Sequence, residues 1–452
     1  MAKLLNAHPW LDFSILAFKS DPTLDVGKVA QILRVNAADI IHGEDLFKPG
    51  AGRTQPAGGP ILFLENLGQA VVLLDQAEID RLRADPSVNT VAKNLPVSAS
   101  QGKPTGKVSQ PTGQAPLALP AFWNIDMVSA PRAWTKTKGE NVKVAILDTG
   151  IAHHPAIKVE GGHYCIFSGN DTIPSMQPEA YDDEDGHGTH IAGIIGACHE
   201  GWGMYGVAPK SLLYAVKVLE FTEISGHWAS VLLGLEWCCK ERMDVANLSL
   251  QIIESPFLSA QEVKNIEQHL LEVGMALKRK EVFLVAAAGN KPLGQETSIS
   301  RLTLPGRSEP FLAVGAIDRK RNLYTQSLFS SEEKAASARN VELVAPGVQV
   351  SSARIGGEGN DLGKWIKPES GTSMACAHVS GAVALIKGLP GFNLAYEDVR
   401  EEVLKKQADE LSLSMPTDSF GYGLLNCGEA VQFAELRIRA TSPTGNLNQH
   451  RR

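Results

Sequence analysis

Between residues 143 and 346, short apolar runs alternate with stretches whose apolar positions recur every three or four residues. The runs "VKVAILD", "SLLYAVKVL", "MDVANLSL", "VFLVAAAGN", "PFLAVGAID" and "VELVAPG" are rich in Val, Ala and Leu. Strands buried on both faces of a parallel sheet have this composition. Between them, "HWASVLLGLEWCCKER" and "EVKNIEQHLLEVGMALKRK" carry helical spacing. Alternating β and α elements predict a doubly wound α/β domain with its site at the carboxyl ends of the strands.

The first hundred residues follow another rhythm. "LDFSILAF" reads as a strand and "DVGKVAQILRV" as a helix. "GPILFLEN" and "QAVVLLD" read as two strands around a polar turn at Asn66–Gly68, "AEIDRLRAD" as a second helix, and "SVNTVAKN" as a last strand. The order β-α-β-β-α-β is the split βαβ, ferredoxin-like arrangement, with residues 36–59 as a loop excursion. "SASQGKPTGKVSQPTGQAPLALP" (98–120) has the Gly, Pro, Ser, Thr and Gln content of a linker. The expected units are therefore 1–97, a linker 98–120, a large domain 121–435 and a polar tail 436–452.

Composition changes this picture little. A chain of 452 residues with 43% hydrophobic and 21% charged residues is an ordinary globular one. A net charge of -7 argues against nucleic acid as a partner, and no apolar run has the length of a membrane span. His8, Pro9 and Asp12 interrupt the N-terminal apolar stretch, so it lacks the pattern of an export signal. Cys165, Cys198, Cys238, Cys239, Cys376 and Cys427 lack the spacing of a zinc site or disulfide scaffold. They read as reduced thiols, and the expected location is cytoplasmic.

Chemistry enters with four short stretches. "VAILDTG" ends a strand on Asp148; "DGHGTHIAG" sets His187 between glycines; "LVAAAGN" ends on Asn290; "SGTSMACAHVSG" places Ser373 at a helix start. Each has a plain reading as a turn, a loop histidine, a strand stop or an N-cap. Together they supply the nucleophile, base, orienting carboxylate and oxyanion donor of an acyl-transfer hydrolase, in one of the known chain orders of the triad.

With these boxes, and with "WNIDMVSAPRAW", "GVAPKSLLYAVKVL", "VAPGVQV" and "FGYGLLNCGEAV" around them, the chain resembles the subtilisin-like serine peptidases. The resemblance implies Asp148, His187 and Ser373 as the triad and Asn290 as an oxyanion donor. It implies a pocket walled by Ser249, Leu250 and Gln251 on one side and Ala287, Ala288 and Gly289 on the other. Gln251 stands where relatives commonly have Gly, and a side chain there is expected to narrow the pocket. The implied partner is an extended peptide or protein substrate. His190 and His378 are expected to be structural, and Asp182, Asp183, Glu184 and Asp185 to form a solvated acidic loop.

Residues 1–97 resemble the family's propeptide, which implies an intramolecular inhibitor and a zymogen self-processed within the linker. A permanent partner-binding domain is the alternative. No cofactor is implied. Calcium is common in the family, but Ala156 replaces a usual Asp ligand and "CHEGWGMYG" lacks the usual asparagines. Ala377 replaces a usual Pro inside the nucleophile helix, and Cys376 is expected to be a buried core residue. The rival functions are a maturation peptidase for one partner's leader peptide and a silent peptide-binding relative.

Overall fold

The computed structural model describes residues 13–19, 21, 23–46, 61–99, 122–166, 181–220, 226–291, 301–330, 340–412 and 416–441. The N-terminal unit contains β1 (Phe13–Phe18), α1 (Val26–Leu33), β2 (Ile40–His42), β3 (Ile61–Leu64), β4 (Gln69–Leu73), α2 (Gln76–Arg83) and β5 (Val88–Lys93). Its sheet order is β2-β3-β4-β1-β5. The expected β-α-β-β-α-β course is present. Asp25 caps α1, and Asp75 with Glu78 forms a capping box on α2. β2 lies within the predicted excursion and adds a parallel edge strand on β3. At three residues it is too short to show a period.

β1 is buried along its whole length because the sheet is covered on both faces. Leu16, Phe18, Phe63 and Val91 pack with Val29, Leu33 and Leu82 of the two helices. Ile15, Leu62, Leu64 and Val71, on the opposite face, pack against the large domain. There the partners are two helices, α4 (Trp228–Lys240) and α5 (Ala260–Arg279). Polar contacts fix the orientation. Glu236 of α4, fully buried, accepts hydrogen bonds from the Asn66 and Leu67 amides and from Asn66 Nδ2, at 2.7–3.1 Å.

The large domain holds a parallel sheet of β7 (Lys143–Asp148), β8 (Val159–Tyr164), β9 (Leu212–Lys217), β11 (Val245–Leu248), β13 (Phe283–Ala287), β14 (Leu312–Ile317) and β15 (Leu343–Pro346). Its order is β15-β14-β13-β11-β7-β9-β8. Alternate residues serve opposite layers. Val144 and Ile146 face the core with α3 (His187–Gly196) and α6 (Thr372–Lys387), while Ala145 and Leu147 face α4 and α5. This is the doubly wound arrangement expected from the apolar runs. β8 was not foreseen, since "VEGGHY" has no apolar run. Its Gly162 allows close approach to β9, where a Cβ would lie 2.2 Å from the Ala215 carbonyl oxygen. Among the described residues no helix is long and apolar enough to cross a membrane.

Two expected boundaries shift. Ser98 and Ala99, read as the start of the linker, belong to a strand, β6 (Pro96–Ala99). Backbone pairing with the large domain overrides their composition. At the other end, α7 (Cys427–Thr441) runs through residues assigned to the polar tail. Ile438 is only 4% exposed against the core, which carries the helix past 435. The rest of the linker and tail lies outside the described residues.

Candidate active site

The carboxyl ends of β7, β11 and β13 meet the amino ends of α3 and α6, where a switch-point site is expected. Asp148 is the last residue of β7 and fully buried. Its Oδ1 accepts from His187 Nδ1 at 2.7 Å and from the Thr149 amide at 2.8 Å. His187 opens α3 and is also fully buried. Gly188 must be glycine for this contact, since a Cβ would sit 2.1 Å from the Gly150 carbonyl oxygen.

Burial pushes the His187 imidazole down, but the charges of Asp148, Glu369 and Asp185 pull it up, to about 9. Burial likewise pushes the Asp148 carboxyl up while His187 pulls it back. The direction that stands is the raised imidazole, because several carboxylates act on one ring. His187 Nε2 carries no hydrogen bond.

Ser373, the second residue of α6, is fully buried, and its Oγ donates to the Ser249 carbonyl oxygen at 3.0 Å. Ser249 Oγ in turn donates to the Ser373 carbonyl oxygen at 3.0 Å. Asn247, which no sequence signal marked, lies behind this clasp. Its Nδ2 donates to Ser249 Oγ at 2.9 Å, while its Oδ1 accepts from Ser380 Oγ at 2.9 Å and Cys376 Sγ at 3.3 Å. Cys376 is thus a buried member of a polar network. Burial pushes its thiol up to about 12, which leaves it protonated and unreactive at neutral pH.

Asn290 follows β13, with Gly289 in the left-handed region at φ +98. A Cβ on Gly289 would lie 2.3 Å from Thr303 Oγ1, so both backbone and space require glycine. Asn290 Oδ1 accepts from the Thr372 amide at 3.1 Å, so its carbonyl side faces the backbone just before Ser373. The Asn290 amide donates to Gln251 Oε1 at 3.3 Å.

The structure brings Asp148 to His187, and Ser249 and Asn290 to the Thr372–Ser373 turn. His190 and His378 stay outside these contacts. His190 Nε2 lies 3.1 Å from the Val350 and Lys367 carbonyl oxygens. His378 Nδ1 donates to Met374 O at 2.7 Å. Burial drives both imidazoles down to about 4, so both are neutral.

The acidic-loop expectation fails at Asp183, which is 4% exposed. Its Oδ1 accepts from Thr149 Oγ1 and from the Asp185 and Gly186 amides. Its Oδ2 accepts from the Thr189 amide and hydroxyl. Asp183 ties the turn after Asp148 to the start of α3. A run of acids in sequence cannot reveal which one turns inward.

Calcium does not fit the expected corner. Ala156 is buried in an apolar cluster with Ala197, Met204, Ala353 and Ile366. His154 beside it packs edge-on to Trp365 and Trp202. A hard cation wants several oxygen ligands.

The cleft beside Ser249 is occupied by the chain itself. β6 lies antiparallel between β10 (Gly226–His227) and β12 (Leu250–Ile252). Ala99 pairs with Leu250, Ser98 with Gln251, and Val97 with both Ile252 and Gly226. Val97 is fully buried, which is worth about 1.5–3 kcal/mol for a side chain of this kind.

The subtilase family profile matches residues 139–423. Subtilisin Savinase of Lederbergia lenta is 38% identical over 312 residues, 69% of this chain and 98% of its own length. The alkaline protease of Alkalihalobacillus alcalophilus is 35% identical over 363 residues, covering 80% and 78%. The minor extracellular protease Epr of Bacillus subtilis (strain 168) is 30% identical over 363 residues, and the chain spans 49% of its length. The expected cytoplasmic location is contradicted by this kinship with a protease named as extracellular. The free thiols were a poor guide to compartment: all six cysteines are unpaired, with Cys198 exposed and Cys165, Cys238, Cys239, Cys376 and Cys427 buried. Motifs, sheet order and similarity across most of the chain agree: it belongs to the subtilase family and is a serine endopeptidase.

Proposed function

We propose that the chain is a self-processed zymogen in which Asp148, His187 and Ser373 cleave peptide bonds and residues 1–97 act as an intramolecular inhibitor. The observation that carries this is β6. The chain's own segment lies in the cleft as an extended strand, the mode by which a peptide joins an exposed sheet edge. It runs toward Ser249, whose carbonyl oxygen accepts the Ser373 hydroxyl.

In this reading Ser373 Oγ attacks the carbonyl carbon and its proton passes to His187 Nε2. The carbonyl π electrons move to oxygen, where Asn290 Nδ2 and the Ser373 amide receive the charge. Collapse breaks the C–N bond, and the His187 proton leaves on the amine. Water then repeats the sequence on the acyl-enzyme and frees the acid. Asp148 holds Nδ1–H throughout. The test is a fluorophosphonate probe on the matured protein. Labelling of the wild type at Ser373, located by peptide mass mapping, supports the reading; an unlabelled wild type overturns it.

Self-processing should depend on pH with a definite sign. The base accepts a proton only when neutral, and the covered His187 is held up to about 9. Below that value the neutral fraction falls about tenfold per pH unit. First-order appearance of the shortened chain should therefore accelerate as pH rises toward 9. A rate that falls over the same interval would refute the general-base assignment.

A further inference from the structure

Gln251 has a contact that its position does not require. It is the middle residue of β12, its backbone already paired with Ser98 of β6, and it is half-buried. From there its side chain reaches the opposite side of the cleft and accepts the Asn290 amide at 3.3 Å. The two segments so joined are Ser249–Gln251 and Ala287–Gly289. Ser249, Leu250, Ala287 and Ala288 are fully buried, and Gly289 is backed by Thr303. These walls are walled in themselves, so they cannot retreat to make room. β6 runs along the first of these walls, with Ser98 opposite Gln251 and Ala99 opposite Leu250. Beyond the buried Val97 it carries only Ser98 and Ala99, both small.

We propose that Gln251 is a specificity-determining and positioning residue. It is a strut across the pocket that admits only small side chains before the cleaved bond and steadies the backbone of Asn290. The proposal rests on the assignment of these walls and of Asn290 under the function proposed above. The steric and the hydrogen-bonding parts separate by chemistry. A glycine removes both bulk and acceptor, whereas a methionine keeps length and bulk but lacks the amide oxygen.

The experiment uses matured wild type, Gln251→Gly and Gln251→Met, each titrated with a fluorophosphonate so that kcat refers to active sites. Two fluorogenic peptides differ only in Ala or Phe before the cleaved bond. For Gln251→Gly the Phe-to-Ala ratio of kcat/KM should rise at least ~10-fold, the scale on which pocket volume discriminates. Gln251→Met should keep the wild-type ratio, yet lose ~2–10-fold in kcat on the Ala peptide with KM little changed, the scale of one hydrogen bond. An unchanged ratio in Gln251→Gly overturns the sieve, and wild-type kcat in Gln251→Met overturns the positioning role. Failure of the probe to label the wild type would sink the parent assignment, and the strut with it.

Discussion

Ser373→Ala is expected to remain full length under conditions in which the wild type loses its N-terminal unit, with the new N terminus of the wild type falling soon after Ala99. The serine is the only proposed nucleophile, and its Oγ contacts the Ser249 carbonyl at the end of the strand that pairs with β6. Alanine removes one oxygen from a fully buried site without adding volume, so the fold and the seated strand should persist. In subtilisin itself, loss of the serine costs about 10⁶ in turnover, which puts both processing and peptide cleavage below detection. Intact mass and N-terminal sequencing read the result directly. A Ser373→Ala chain that still shortens by its own first-order process would end the zymogen proposal. A wild type whose first new terminus lies far from Ala99 would break the link between β6 and the processed bond.

Asp148→Asn should lower kcat by about 10⁴, near the loss measured when subtilisin loses its aspartate. Asp148 Oδ1 is the acceptor for His187 Nδ1 at 2.7 Å, the ring's side-chain hydrogen bond among the described residues. An amide is close in shape but can present N–H to Nδ1, which selects the wrong tautomer for a base at Nε2. The charge is lost as well. Burial alone drives His187 down, and Asp148 is the strongest influence holding it up. The variant's residual activity should therefore show its acid limb displaced to lower pH, since the neutral base persists further down the scale. The pH dependence of kcat/KM, from pre-processed protein, tests both parts. A loss smaller than about tenfold, or an acid limb displaced to higher pH, would contradict the assignment.

Much of the candidate site was readable because each residue proposed to act there lies at or next to an element boundary. Asp148 and Asn290 stand at strand ends, His187 and Ser373 at helix starts, and apolar runs mark those boundaries plainly. The reason for the glycines beside them shows only in the packed structure. Gly188 and Gly289 meet the Gly150 carbonyl and Thr303 at distances that no side chain could share. The split βαβ course was clear in the sequence, since its strands and helices carry distinct periods. β8 and β2 were not, because a glycine-bearing strand and a three-residue strand have no period to show.

By itself, then, the sequence determined the alternation of elements, the split βαβ course and the residues proposed as reactive. Those depend on local periodicity and on short motifs. The tertiary structure alone decided four further things: that Asp183 turns inward among adjacent acids, that Asn247 stands behind the Ser249–Ser373 clasp, that Gln251 crosses to Asn290, and that Pro96–Ala99 fills the cleft. Each is a contact between segments far apart in the chain. Such contacts depend on which backbones the packed sheet and helices bring within hydrogen-bond reach, and residue order along one segment carries no record of that.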